Sequence, residues 1–308
     1  MEINVKNVSQ TRKKIWNGLG RNRRSRELIG GAVYLAPSFI GVCIFFIVPF
    51  GVVIYYSMID SPLQHNFVFL ENFKNVLNNI AFKQAATNTL VFSAVSVPLA
   101  VILSLLLANL LESKIPGKSI FRTFFLSPMM VPVASIVLIW QVMFHYNGAA
   151  NDFLSTFGVK KIDWLNSDYN QVVVVLLFLW KNLGYNMILF MAALNNMPKD
   201  LLEVADIEGA GPLRKFFQIK LRYLSPTLLF VTILSLINSF KVFREVYLLS
   251  GDYPYGGLYM LQHFMNNTFR SLDYQKLSSA AVLMAIVMVI IIGVLFILEN
   301  RFGKDVEG

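Results

Sequence analysis

Six long apolar blocks, at about residues 30–59, 87–111, 121–144, 171–195, 224–248 and 277–298, decide most of what this chain can become. Each matches or exceeds the roughly 20 apolar residues that an α-helix needs to cross a bilayer. In hydrocarbon every backbone amide and carbonyl needs an internal partner, and a helix supplies that partner within the block itself. The expected fold class is therefore an all-α polytopic membrane protein with six transmembrane helices. Composition agrees, with 56% hydrophobic and 15% charged residues, where soluble domains have about 45–50% and about 25%. No charge lies between Ile29 and Ile59, and Pro37 and Pro49 in that stretch predict a kinked or tilted first span. The run is too long for a signal peptide and lacks a small-residue cleavage site, so the N-terminus is expected to stay attached.

Lysine and arginine are shared unevenly between the two sides of these spans. The tail before Ile29, the loops after the second and fourth blocks and the C-terminal tail hold 18 of the 27, eight of them in the first tail alone. The opposite loops hold six: Lys74, Lys83, Lys160, Lys161, Arg270 and Lys276. Positive charge stays inside, so both termini are expected in the cytoplasm. The expected organisation is a basic cytoplasmic tail over 1–28, a six-span membrane domain over 29–298 and a short cytoplasmic tail over 299–308. The basic tail holds the orientation and touches anionic membrane lipid.

Several function classes fall away. The net charge of +9 comes from basic residues flanking spans, with no aromatic-basic platform for nucleic acid. Cys43 stands alone, so no disulfide forms within the chain. His65, His145 and His263 are too far apart in sequence for metal-ligand spacing. Gly117-Lys118-Ser119 looks like the end of a phosphate loop, but Glu112 stands where that loop needs its first glycine. No ATP site is expected, and any ATP is hydrolysed by a partner. No carboxylate pair, Ser-His grouping or metal motif presents itself, so the chain is expected not to be an enzyme.

The hydrophilic segment 197–226 is too long for a connector. Pro198 opens a helix with Asp200 and Glu203 in its first turn, where negative charge suits the helix dipole. Gly209 and Gly211 end it, and Pro212 starts a second helix. Leu213, Phe216, Phe217, Leu221 and Leu224 fall at helical spacing on one face, with Arg214, Lys215, Lys220 and Arg222 opposite. Two readings stay open on these residues: a knob that fits a partner's groove, or an amphipathic helix lying on lipid.

This loop is similar to the EAA loop of binding-protein-dependent ABC importer permeases. Glu203, Ala205, Gly209, Ala210, Phe216, Ile219, Leu221, Leu224 and Pro226 stand at the family's places. Val204, Glu208 and Arg222 depart from it, Arg222 replacing the first proline of the closing pattern. Trp180-Lys181-Asn182-Leu183-Gly184 through Leu194 and Pro198 resembles the family's span before the loop. Pro37, Phe45, Pro49 and Ser57 resemble its first span, and Asn88 with Ala108 its second. Gly251-Asp252-Tyr253-Pro254 is a looser match to its Gly-Gly-Pro. The likeness covers about residues 30–300 and is nearest the carbohydrate permeases of the maltose, lactose and multiple-sugar type. It implies a type I ABC importer permease fold in a bacterial inner membrane. It further implies a second homologous permease chain forming a heterodimer, an ATPase dimer holding ATP and Mg, and an extracytoplasmic solute-binding protein. This chain would bind no cofactor itself. Coupling to the ATPase would fall to Glu203, Ala205, Glu208, Gly209, Ala210, Leu213, Phe216 and Phe217.

Polar side chains inside spans are costly and tend to face a cavity or another helix. The fourth block carries Lys181, Asn182, Tyr185 and Asn186, and the fifth carries Ser235, Asn238, Ser239 and Lys241. Amides and hydroxyls beside Tyr185 and Phe240 suit a sugar's hydroxyls and C–H faces. The resemblance implies that cargo binds from these two spans, at positions that include Asn182, Tyr185, Asn238 and Ser239. Asn186 and Ser235 complete the candidate set. The same residue types also glue helices together. Lys181 is expected on carbonyls or on the partner permease, and Arg244 is expected to pair with Glu245 at the outer end of the fifth span. The competing function is a six-span, ion-coupled secondary transporter of small polar solutes. No inverted repeat and no carboxylate at a span centre speak for it.

Overall fold

Apolar blocks with no intervening charge leave the backbone one economical solution, and 79% of the described residues are helical. The computed structural model describes residues 31–112 and 116–302; the basic tail over 1–28, Lys114, Ile115 and Lys304 lie outside them. The chain divides into two units between Tyr56 and Ser57, and each is described by itself.

The described part of the first unit is helix α1 (Gly31–Ser57) as far as Tyr56. A π turn at Cys43–Ile47 precedes Pro49. A proline ring collides with the carbonyl one turn back, and an extra residue in that turn makes room for it. A widened turn thus stands just before Pro49, one of the two prolines from which a kink or tilt is expected.

The second unit opens with α2 (Glu71–Asn78) and α3 (Ile80–Glu112). Helix α3 begins seven residues before its apolar block. One side of it is lined by Ala85, Thr89, Ser93, Ser96, Ala100, Ser104 and Ala108, all buried. Spacings of four and three put them on one stripe, and small side chains let a neighbouring backbone come close. That neighbour is α7 (Asn170–Asn195). Phe92 meets Phe178 edge to face, with ring centroids 5.6 Å apart.

The third apolar block is not the single span expected over 121–144. It is α4 (Lys118–Met130) and α5 (Val133–Met143), bent by 102° at the break between them. Pro132 has no amide to continue the ladder and drives Val131 into an extended conformation (φ −91°, ψ 132°). Five helices among the described residues are long and apolar enough to cross a membrane, six if this bent pair is one span. The short α6 (Ala149–Ser155) follows, its Asn151 amide closing the loop on Tyr146, Ile162 and Trp164.

After α7 come α8 (Lys199–Ile207) and α9 (Pro212–Lys215), which runs through a π turn at Phe216–Lys220. The fifth block is also broken. Helix α10 (Ser225–Phe240) stops at Lys241, and α11 (Phe243–Ser250) starts afresh. The amides of Glu245 and Val246 both return to the Val242 carbonyl, each at 3.1 Å. Helices α12 (Leu261–Arg270) and α13 (Tyr274–Phe302) complete the unit. Asn88 of α3 donates to the carbonyls of Gly256 and Tyr259, both at 2.9 Å, and so pins the segment that leads into α12.

Candidate functional site

Two places concentrate the residues of interest: a cavity at the break between α10 and α11, and the loop of α8 and α9.

The cavity holds about 510 Å³. Helix α7 turns Phe178, Lys181, Asn182 and Tyr185 toward it, positions one turn apart on a single face. Asn238 comes from the end of α10, and Lys241 to Glu245 from the break. Met129 of α4 and Gln262 of α12 close the remaining sides. Asn238 donates to the Asn182 side-chain oxygen at 3.0 Å, and Asn182 donates to the Phe178 carbonyl at 2.8 Å. The two amides thereby hold each other at the cavity wall, leaving the Asn238 oxygen without a partner among the described residues.

Of the residues expected to touch cargo, the structure brings Asn182, Tyr185 and Asn238 together here. Asn186, Ser235 and Ser239 are placed elsewhere. Asn186 donates to the Ser235 hydroxyl at 2.8 Å, joining α7 to α10. Ser239 and Ser93 share a hydrogen bond of 2.8 Å, joining α10 to α3. All three are buried and committed to helix packing. Phe240 likewise packs in the core, and Phe243 in its place joins Phe178 and Tyr185 at the cavity.

The ion pairing differs from expectation. Glu245 does not pair with Arg244. Adjacent residues on a helix point in different directions, and Glu245 instead receives Lys181 from α7. Glu245 is only 5% exposed, and its second carboxylate oxygen has no partner. Removing the cation while the carboxylate stays buried costs on the order of 3 kcal/mol, less here because Lys181 keeps some solvent. Lys181→Met is therefore expected to lower the thermal midpoint of the detergent-solubilised protein, and Lys181→Met with Glu245→Gln to restore most of it. Equal midpoints for the single and double variants would contradict this pairing.

The loop is organised by its glycine. Gly209 has φ +72°, the left-handed region that side chains disfavour. Its amide bonds the Asp206 carbonyl at 3.1 Å, and the next amide, Ala210, bonds the Ala205 carbonyl at 2.9 Å. These two bonds make a Schellman closure of α8. Ala205 is buried beneath it, while Glu203 and Glu208 are exposed. Glu203 lies in the second turn of α8 rather than the first, where Asp200 stands.

The apolar face expected on the second helix is split in two. The π turn inserts a residue, so Phe216, Leu221 and Leu224 pack into the core. Leu213 and Phe217 rotate outward, 74% and 58% exposed. Ile207, hidden in sequence between two acids, joins them at 87%. Lys215 pairs with Asp206 across the loop. Lys220 pairs with Glu112 and donates to Asn109 at 3.0 Å, and the Tyr223 hydroxyl donates to the Asn196 carbonyl at 3.1 Å. Arg222 is exposed within a helical turn and leaves the path of the chain helical as far as Leu224.

Comparison with known proteins places this architecture. The family described as "Binding-protein-dependent transport system inner membrane component" matches residues 100–307. The chain is 30% identical to the trehalose/maltose transport system permease protein MalF of Thermococcus litoralis, over 94% of this chain and 99% of that protein. It is 30% identical to the sn-glycerol-3-phosphate transport system permease protein UgpA of Pectobacterium atrosepticum, over 88% and 92% respectively. Among solved structures, one chain of a bacterial ABC transporter involved in importing the acidic polysaccharide alginate superposes with a TM-score of 0.75. It is 18% identical, with 96% of this chain and 100% of that chain covered. The fold is that of an ABC importer permease, all-α and polytopic.

Proposed function

The chain belongs to the family of binding-protein-dependent transport system inner membrane components, and from that premise we propose that it forms half of a translocation pathway for a sugar or oligosaccharide. It is a transport subunit without catalysis of its own. ATP and Mg are held by a partner ATPase dimer, and cargo arrives on an extracytoplasmic solute-binding protein. The relatives named for trehalose/maltose, sn-glycerol-3-phosphate and, in Bacillus subtilis, arabinooligosaccharides support a polyol cargo.

The observation that carries this reading is the loop. Three large apolar side chains, Ile207, Leu213 and Phe217, stand exposed on a hydrophilic segment whose backbone is closed by its own hydrogen bonds. Such a knob fits a groove on a partner protein. Glu203, Ala205, Glu208, Gly209, Ala210 and Phe216 shape and support it. At the cavity, Asn182, Tyr185 and Asn238 face the cargo, while Asn186, Ser235 and Ser239 hold the walls. The excess of lysine and arginine on the loop side supports a cytoplasmic loop and cytoplasmic termini.

A pull-down from membranes tests the assignment. An ATPase and a second six-span permease are expected to accompany the tagged chain, and uptake is expected to cease when that ATPase is deleted. Uptake that persists without the ATPase would move the chain to the ion-coupled secondary transporters.

A further inference from the structure

Only four charged side chains lie at least five residues inside a membrane-length helix among the described residues: Lys181, Lys241, Arg244 and Glu245. They come from two spans 60 residues apart, yet all four line the same cavity. Lys181 and Glu245 cancel each other. Lys241 and Arg244 have no carboxylate, carbonyl or hydroxyl partner among the described residues, so the cavity carries two cations beyond balance. Both are exposed where they line the cavity, and unpaired charge between spans marks a substrate or ion pathway.

We propose that the cargo carries the neutralising charge: an anionic carbohydrate, with its carboxylate or phosphate group held between Lys241 and Arg244. Arg244 offers a planar fork that matches two oxygens of either group, and Lys241 offers a mobile point charge. Asn238 and Tyr185 then remain for the uncharged hydroxyls of the same molecule. The inference rests on the importer reading above and narrows its cargo.

The test uses the co-purified complex in nanodiscs of zwitterionic lipid. Isothermal titration calorimetry with each probe reports binding. Galacturonate trisaccharide and glucose 6-phosphate are titrated against their neutral counterparts, galactose trisaccharide and glucose. At least one anionic probe is expected to bind roughly tenfold or more tightly than its counterpart. Which one does so separates a carboxylate cargo from a phosphate cargo. The preference is expected to vanish in Lys241→Gln/Arg244→Gln and to survive the charge-keeping exchange Lys241→Arg/Arg244→Lys. Equal binding of charged and neutral probes, no saturable response to either anion, or a preference that outlives the double glutamine variant would overturn the proposal. So would separation of the two permease chains in that variant with no anion preference in the wild type, because the cations would then face the partner chain. A wild-type complex that lacks any ATPase sinks the importer reading itself, whereas equal binding by an intact complex sinks only the charge assignment.

Discussion

Gly209→Val is expected to lower uptake by roughly 5- to 30-fold while membrane abundance stays near wild type. A side chain in the left-handed region costs about 1–2 kcal/mol, more for a β-branched residue. The loop then spends most of its time with the Schellman closure open, and the population able to dock falls in proportion. No atom of a neighbouring segment lies within 4 Å of where a Cβ would sit on Gly209, so the strain stays local and does not spread into the spans. This separates a docking defect from a folding defect. Gly209→Asn, which tolerates the same backbone region, is expected to keep most of the activity. The paired measurements are uptake and the amount of ATPase retained on the purified permease. Wild-type values of both in the valine variant would remove Gly209 from the coupling set.

Gly184→Val is expected to have the opposite signature, a collapse in membrane abundance. A Cβ at Gly184 would sit 1.8 Å from the Phe125 carbonyl oxygen and 2.5 Å from its carbon. Both belong to the backbone of α4, which has no rotamer to move aside. The two helices would have to separate by more than an ångström, and overpacking of this kind costs about 3 kcal/mol or more. Gly184→Ala carries the same clash and is expected to fail as well, whereas Gly293→Ala, with nothing within 4 Å, is expected to be neutral. Immunoblotting of membranes against a co-expressed control protein measures this directly. Normal abundance of Gly184→Ala would mean that α4 and α7 do not approach as closely as described.

The spans were legible because hydrocarbon leaves a sequence few options, and five of the six blocks reappear as membrane-length helices, two of them with a break or widened turn. The bend in the third was also present in the sequence. Pro132 ends a helix and extends the residue before it, and that rule applies inside an apolar block as well as outside one. Lys181 with Glu245 was not legible, since their 64-residue separation leaves no local pattern. The rejected pairing of Arg244 with Glu245 could have been excluded beforehand, because neighbours along a helix do not face each other. Gln262 stayed hidden for another reason. It belongs to α12, a ten-residue helix of mixed polarity that reads as loop until Asn88 and the buried His263 are seen to anchor its start. The face containing Leu213, Phe216 and Phe217 was misjudged because a π turn changes the repeat, and no residue type announces one.

That π turn does more than redistribute side chains. Phe216 is sunk in the core, Lys220 is tied to α3 and Tyr223 to the end of α7. The segment from Pro212 to Phe240 is therefore interrupted helically at Leu224 alone and clamped at three points along its first half. Under the proposed coupling, a load on the exposed rim is expected to reach the helices held by these three contacts together. In engineering terms the loop is a tiller bolted to the hull, and under the proposed coupling the part expected to yield is the joint at Lys241, where the cavity lies.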